Sequence, residues 1–279
     1  MAFCVLSFIF SLNSKKNKIR MKKLNYLLFG FILLFPSQSF VSQALQITYE
    51  LKYQPKIEDT LTIKEKFLQG IDFSEKKSNF SSLDLGDSAF NAVVFKDFNN
   101  NKFQKMETIS TNLFSLNYKF PTTWKLLKEQ KQVLSYPCSK AVITFGGRDW
   151  EAWYTNQISF PDGPYKFHGL PGLILEVKSS DGEYHFKATN IEKIGKIKSI
   201  SNRYATDFGS KENEIKYKKK LFLDPTIPYN TSNSEIFGIA VFNGVEITKR
   251  DSDKYRVERF RKFVSAHNNP IEKGDIWVN

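Results

Sequence analysis

Few residues in this chain of 279 could carry chemistry, and their spacing limits what that chemistry would be. Cys138 is the single cysteine after residue 44, with Lys140 close by in sequence and His168 further along. A thiolate nucleophile needs a base and a positive setting, so Cys138 with a histidine would make an exported hydrolase. The commoner role of a lone cysteine ahead of a strand is that of a small buried hydrophobe. The three histidines are His168, His185 and His267. His168 and His185 with Glu183 could bind a transition metal if two neighbouring hairpins brought them together. Asp149 and Glu151 share one face of a strand, which more often means a solvated face than an acid–base pair. No Gly-x-Ser-x-Gly elbow, His-Glu-x-x-His helix or phosphate loop is present. These patterns therefore assign no catalytic residue, no metal and no cofactor.

Aromatic side chains are the denser signal. Trp150, Trp153, Tyr154, Phe160, Tyr165 and Phe167 fall within eighteen residues. Aromatics fill cores, and they also line apolar or sugar-binding grooves. Trp153 alternates away from Trp150, Ala152 and Tyr154, the expected core face, so it is the aromatic to test for ligand contact. Tyr165, Phe167 and His168 join it as binding candidates if their loop stands at the rim of a pocket.

The elements that must hold these residues are mostly strands. Ile47 to Tyr53 alternates cleanly, with Ile47, Tyr49, Leu51 and Tyr53 on one face. Thr60–Asp72, Ala92–Phe95, Phe103–Ile109 and Leu113–Phe120 are further strand candidates, and residues 74–88 read as loop. Ala141–Phe145, Gly146-Gly147 and Arg148–Thr155 form a hairpin pattern. Leu173–Val177 and Tyr184–Ile191 form a second hairpin around Ser179–Gly182, and Lys193–Ile200 could add a strand. Lys216, Lys218, Lys219 and Lys220 make a basic patch, expected on a surface strand or loop. Ser252–His267 is the helix candidate, capped by Ser252 or Asp253. The expected fold is mainly β, a single domain on a bent antiparallel sheet with a few helices.

Five ordered pieces of the middle of the chain carry a family resemblance. They are Tyr136-Pro137-Cys138-Ser139-Lys140-Ala141, Gly147-Arg148-Asp149-Trp150, Ala152-Trp153-Tyr154-Thr155, Gly163-Pro164-Tyr165-Lys166-Phe167 and Gly169-Leu170-Pro171-Gly172-Leu173-Ile174. Together they resemble the GLPGLI family of exported Bacteroidetes-type proteins, named for that hexapeptide. Trp124-Lys125-Leu126 and Asn269-Pro270-Ile271-Glu272 are similar to its flanks. One departure is that Ile158 is followed by Ser159, with the proline at Pro161. The resemblance implies an envelope location and a shared fold, and it supplies no catalytic residue. Physically, Leu170-Pro171-Gly172-Leu173 fits a type II turn, with φ > 0 expected at Gly172. Either the loop is rigid and presents Tyr165, Phe167 and His168, or it is a buried corner that sets the next strand in register; the buried corner is preferred.

The N-terminus reads as an address. Residues 1–20 look like an upstream extension, with Met21 as an alternative start. Residues 21–44 have the layout of a secretory signal peptide: Lys22 and Lys23, apolar Leu27–Phe35, then Ser42-Gln43-Ala44. The apolar run is too short to span a bilayer. The expected destination is the periplasm or outer membrane, with secretion as a further option. Residues 1–44 hold six Lys/Arg and no Asp/Glu, so the formal charge of +12 falls to 35 basic against 29 acidic residues once they are removed. Export and this modest excess exclude nucleic acid as a partner. Residues 45–279 are expected to form one domain without a transmembrane segment. Its expected role is that of a non-enzymatic binding or accessory module for an apolar ligand or an envelope protein partner. The Cys138 hydrolase and the histidine metal site are the alternatives.

Overall fold

The structure, a computed structural model, describes residues 44–83, 90–110, 112–198, 204–229, 240–242 and 245–277. The upstream extension and signal segment lie outside the described residues, apart from Ala44. Eleven strands follow in chain order: β1 (Ala44–Tyr53), β2 (Ile63–Asp72), β3 (Lys77–Ser82), β4 (Ala92–Asp97), β5 (Lys102–Ile109), β6 (Asn112–Asn117), β7 (Lys125–Val133), β8 (Tyr136–Phe145), β9 (Arg148–Thr155), β10 (Leu173–Ser179) and β11 (Tyr184–Ile194). Short β12 (Thr206–Asp207), helix α1 (Lys211–Leu223), a single 3-10 turn (Ile227–Tyr229), a small hairpin of β13 (Ala240–Phe242) and β14 (Val245–Ile247), and helix α2 (Lys249–Ala266) complete the elements among the described residues.

The fold is mainly β, as expected. One twelve-stranded sheet runs β12-β6-β5-β4-β3-β2-β1-β11-β10-β9-β8-β7 and does not close into a barrel. Every pairing is antiparallel except β12 with β6, so the sheet is mixed. Two halves, β2 to β6 and β7 to β10, are joined at the centre where β1 pairs with β11 from Tyr53↔Tyr184 to Ala44↔Ile194. Curvature follows from reach. Six strand steps separate β4 from β9, roughly 29 Å on a flat sheet. Yet Lys96 of β4 and Trp150 of β9 both touch Phe167. The sheet must curl around that residue.

Period-two alternation decides what faces inward. Ile47, Tyr49, Leu51 and Tyr53 on β1, and Trp150, Ala152 and Tyr154 on β9, are buried as the alternation requires. Gly146 and Gly147 both have positive φ, the conformation of a two-residue hairpin turn. Several expectations are corrected. Residues 77–82, read as loop, form β3, because neighbouring strands on both sides supply backbone partners to a Ser- and Asn-rich segment. Lys125–Val133, too charged to alternate visibly, is edge strand β7. The lysine patch lies on helix α1, where Ser210 accepts from Asn213 N and caps the first turn. Helix α2 is capped by Thr248, one turn earlier than Ser252. β11 ends at Ile194, and residues 199–200 of the further strand candidate lie outside the described residues.

Candidate functional site

The loop between β9 and β10, residues 156–172, fills the hollow of the sheet. Phe167 is fully buried, with ring contacts to Phe120, Phe145, Trp150, Tyr165 and Phe186. Tyr165 and His168 are buried too. These three binding candidates therefore stand inside rather than at a rim. Tyr165 borders a residual cleft of about 50 Å³, room for a few waters.

Polar side chains hold the loop by its backbone. Lys96 Nζ lies 2.5 Å from Asp162 Oδ1 and donates to the carbonyls of Gly163 (2.8 Å) and Phe167 (3.1 Å). Gln69 Nε2 donates to Asp162 Oδ2 at 2.5 Å. Both ions are almost fully buried. A buried ion pair is tolerated when further hydrogen bonds complete it, which the two carbonyls and the amide do here. His168 Nδ1 lies 2.8 Å from Lys166 O. A carbonyl can only accept, so this nitrogen carries the proton. Burial, with the Lys96 charge, pushes His168 down to about 4, so the imidazole is neutral. Phe98, Phe103 and Phe120 ring it.

The hexapeptide is a corner, but not the expected one. Gly172 lacks a positive φ, so the type II turn is not formed. A glycine is required there for space: a Cβ would lie 2.1 Å from Thr155 O. The positive φ falls on Gly169, at +95°. Leu173 N then donates to Ile158 O and Ile174 N to Asp162 O, which seats β10 against the loop.

A second segment, residues 268–277, closes over the loop. Arg148 donates to Asn269 Oδ1, Pro270 O and Ile271 O, and also pairs with Asp181 and Glu183. Tyr165 OH and Lys166 Nζ both donate to Glu272 Oε1. Asp275 pairs with Lys218 and Lys211 of α1. Burial alone would raise the Asp275 carboxyl, but Lys105, Lys218 and Lys211 hold it at about 2. Lys218, expected at the surface, is buried between Glu107, Glu214 and Asp275.

The outer face of the sheet carries the one binding candidate that solvent reaches. Trp153 stands in register between Lys140 of β8 and Glu176 of β10. Lys131 Nζ lies 4.4 Å from its ring centroid and 2.8 Å from Glu176 Oε2. His185 Nε2 lies 3.0 Å from Glu176 Oε1. Burial would raise the Glu176 carboxyl, but hydrogen bonds from His185 and Lys131 hold it at about 2. Glu151 and Lys178 extend the patch.

This geometry separates the groups that the alternative chemistries need. By register His185 projects outward, opposite Phe186, whereas His168 lies inside, so the two cannot share a metal. No cluster of three or more metal-ligating side chains occurs among the described residues. Cys138 is on the outward register of β8 and His168 is inside, so these two do not pair; on the outer face the Cys138 thiol donates to Tyr136 O and the His185 ring contacts Glu176 instead. Burial pushes the Cys138 thiol up to about 11, away from a thiolate at neutral pH. Lys96, Asp162 and Gln69, three of the main polar clamps, gave no sequence signal, and Glu272 gave only its place in the Asn269–Glu272 flank; a buried lysine on a strand looks like any alternating lysine.

A curved sheet wrapped around its own β9–β10 loop defines the class of the protein. The family model described as N-glycanase peptide, N-terminal domain, matches residues 92–219, somewhat under half of the chain. No curated protein matches the sequence significantly. Among solved structures, PNGF-II is 19% identical with a TM-score of 0.49, over 64% of this chain and 33% of that one. This chain therefore spans about a third of the length of PNGF-II. An uncharacterized conserved protein from Thermus thermophilus is 10% identical, with a TM-score of 0.37 over 60% of this chain and 90% of that one. A LolA superfamily protein from Nitrosomonas europaea is 9% identical, with a TM-score of 0.28 over 60% and 91%. No helix among the described residues is long and apolar enough to cross a membrane.

Proposed function

We propose that this chain is an exported, non-enzymatic accessory module of the cell envelope that holds a glycan-bearing partner against the outer face of its sheet. The observation that carries this reading is the filled interior. With Phe167 fully buried in the hollow, the apolar surface a lipid-like ligand would need is already covered. Binding is left to the outside.

Two further points support the reading. The matched N-glycanase N-terminal-domain model includes every residue of the outer patch from Lys131 to His185. An indole on a strand face among ammonium, carboxylate and imidazole groups offers stacking together with hydrogen bonds, the combination a sugar ring uses. Lys131, which covers the indole, is about a third exposed and can give way to a ligand. The GLPGLI-type motif and the leader-like residues 21–44 support export to the periplasm or outer membrane.

The test immobilises the full chain and offers an N-glycoprotein before and after removal of its glycans. Retention of the glycosylated form alone, lost in Trp153→Ala at unchanged melting temperature, is the expected result. Equal retention of both forms sinks the glycan reading, and retention of neither sinks the module. Cell fractionation with N-terminal sequencing tests export, with a chain beginning at Leu45 expected in the envelope fraction.

A further inference from the structure

A second cleft lies on the same outer face, in the other half of the sheet. It measures about 400 Å³ and is lined by Asn79, Phe95, Gln104, Asp97, Lys102 and the segment 196–198, among others. Register explains its floor. Phe95 of β4 pairs with Asn79 of β3 on one side and with Gln104 of β5 on the other. Paired residues share a face with Cβ atoms roughly 5 Å apart, so a half-buried aromatic ring lies between two amides. One step along the same face stand Lys77, Asp97 and Lys102, again in register.

Residues 196–198 build the wall. Gly70 leaves room for them, since a Cβ there would lie 3.0 Å from Ile197 Cγ2. Asn79 Nδ2 donates to Lys198 O at 2.7 Å and fixes the segment to the sheet. The charges divide unevenly. Asp72 accepts from Ser74 and Glu75, Asp97 accepts from Asn100, and Glu75 pairs with Lys77. Lys96 borders the cleft but directs its ammonium inward to Asp162. Lys102, Lys196 and Lys198 are exposed, and among the described residues no carboxylate lies within ion-pair distance of them.

We propose that this cleft binds a carboxylated saccharide, with a sugar ring on Phe95, its hydroxyls on the amides of Asn79 and Gln104, and its carboxylate on Lys102, Lys196 and Lys198. An aromatic face stacks on the apolar face of a pyranose. An amide donates and accepts at once, as vicinal hydroxyls require. The ammonium groups give charge-assisted bonds to a carboxylate. The volume is within the range of small-ligand sites. This rests on the glycan reading above, but it concerns a different surface, on β4 rather than β9.

Titration calorimetry on the full chain tests it, with oligogalacturonate as probe and its fully methyl-esterified, neutral form as control. The expected result is binding of the acid that is at least about tenfold tighter than binding of the ester. Lys102→Ser/Lys196→Ser/Lys198→Ser should abolish that preference, and these exposed positions leave the fold intact by circular dichroism. The acid should also protect Lys196 and Lys198 from acetylation. Equal affinity for acid and ester overturns the proposal, as does binding of neither. Acid binding that survives the triple variant but is lost in Trp153→Ala overturns it as well, and leaves the glycan reading standing. Failure of the glycoprotein retention experiment alone removes the Trp153 reading and leaves this cleft to be decided by its own probe.

Discussion

Arg148 Nη2 lies 2.5 Å from Asn269 Oδ1, joining residues 121 positions apart. The contact links pieces of sequence that otherwise look unrelated. Arg148 belongs to the Gly-Arg-Asp-Trp piece, and Asn269 to the Asn-Pro-Ile-Glu piece. Tyr165 and Lys166 of the Gly-Pro-Tyr-Lys-Phe piece grip Glu272 of that same segment. Trp150 packs its ring on Phe167, with centroids 4.7 Å apart. The motif pieces are thus parts of one buried assembly.

Arg148→Met should cost about 3–5 kcal/mol, because it leaves Asn269 and two carbonyls without a donor and strands two carboxylates. Urea denaturation measures the loss. Hydrogen exchange should quicken at residues 268–275 first, since Arg148 is their anchor. A uniform change across the sheet would show that the segment is not separately latched.

Lys96→Met leaves the Asp162 carboxylate buried without its cation and should cost about 3–5 kcal/mol. Lys96→Met/Asp162→Asn should recover part of that, since no buried charge remains. If the double variant is no more stable than the single, the pair is not the unit that holds the loop.

Gly172→Ala puts a methyl group 2.1 Å from Thr155 O, and overpacking of this kind costs about 1–3 kcal/mol or more. Gly195→Ala meets nothing within 4 Å and should stay within about 0.5 kcal/mol of the parent. Similar melting temperatures for the two variants would remove the close-approach argument.

Acid should weaken the fold in two steps. His168 has its pKa depressed to about 4 from 6.5. The unfolded chain binds more protons between those values, so this contribution is complete above pH 6.5 and fades as pH falls to 4. Glu176 and Asp275, both held at about 2, contribute above their ordinary values near 4 and lose that contribution as pH falls toward 2. Melting temperature against pH measures both steps, and His168→Gln should remove the upper one alone.

Cys138, with its thiol near pKa 11 and its side chain buried, should resist iodoacetamide at pH 7.5 and react once urea unfolds the chain. Fast labelling of the native protein would reopen the nucleophile question.

Local rules made much of this fold legible. The alternation of β1, the Gly146-Gly147 turn and the inward face of β9 each follow from a few adjacent residues. β3, β7 and α1 did not show, because their stability comes from neighbours distant in sequence: flanking strands for Ser78–Ser82, and Lys105 and Asp275 for Glu214 and Lys218. The site divided the same way. Trp153 was found by alternation, whereas the burial of Tyr165, Phe167 and His168 depends on a curvature that no local pattern encodes. Lys96 and Asp162 become meaningful only once the sheet brings them 2.5 Å apart.

The latch at residues 268–277 also orders events in time. A chain made or threaded N-terminus first holds β1 to β11 well before Asn269, Glu272 and Asp275 emerge. Until then Lys166 lacks Glu272, Lys218 lacks Asp275 and Arg148 lacks Asn269, while Asp181 and Glu183 for Arg148, and Glu107 and Glu214 for Lys218, are already in the chain. In any synthesis that runs from the N-terminus, the residues that complete these contacts are therefore the last to arrive.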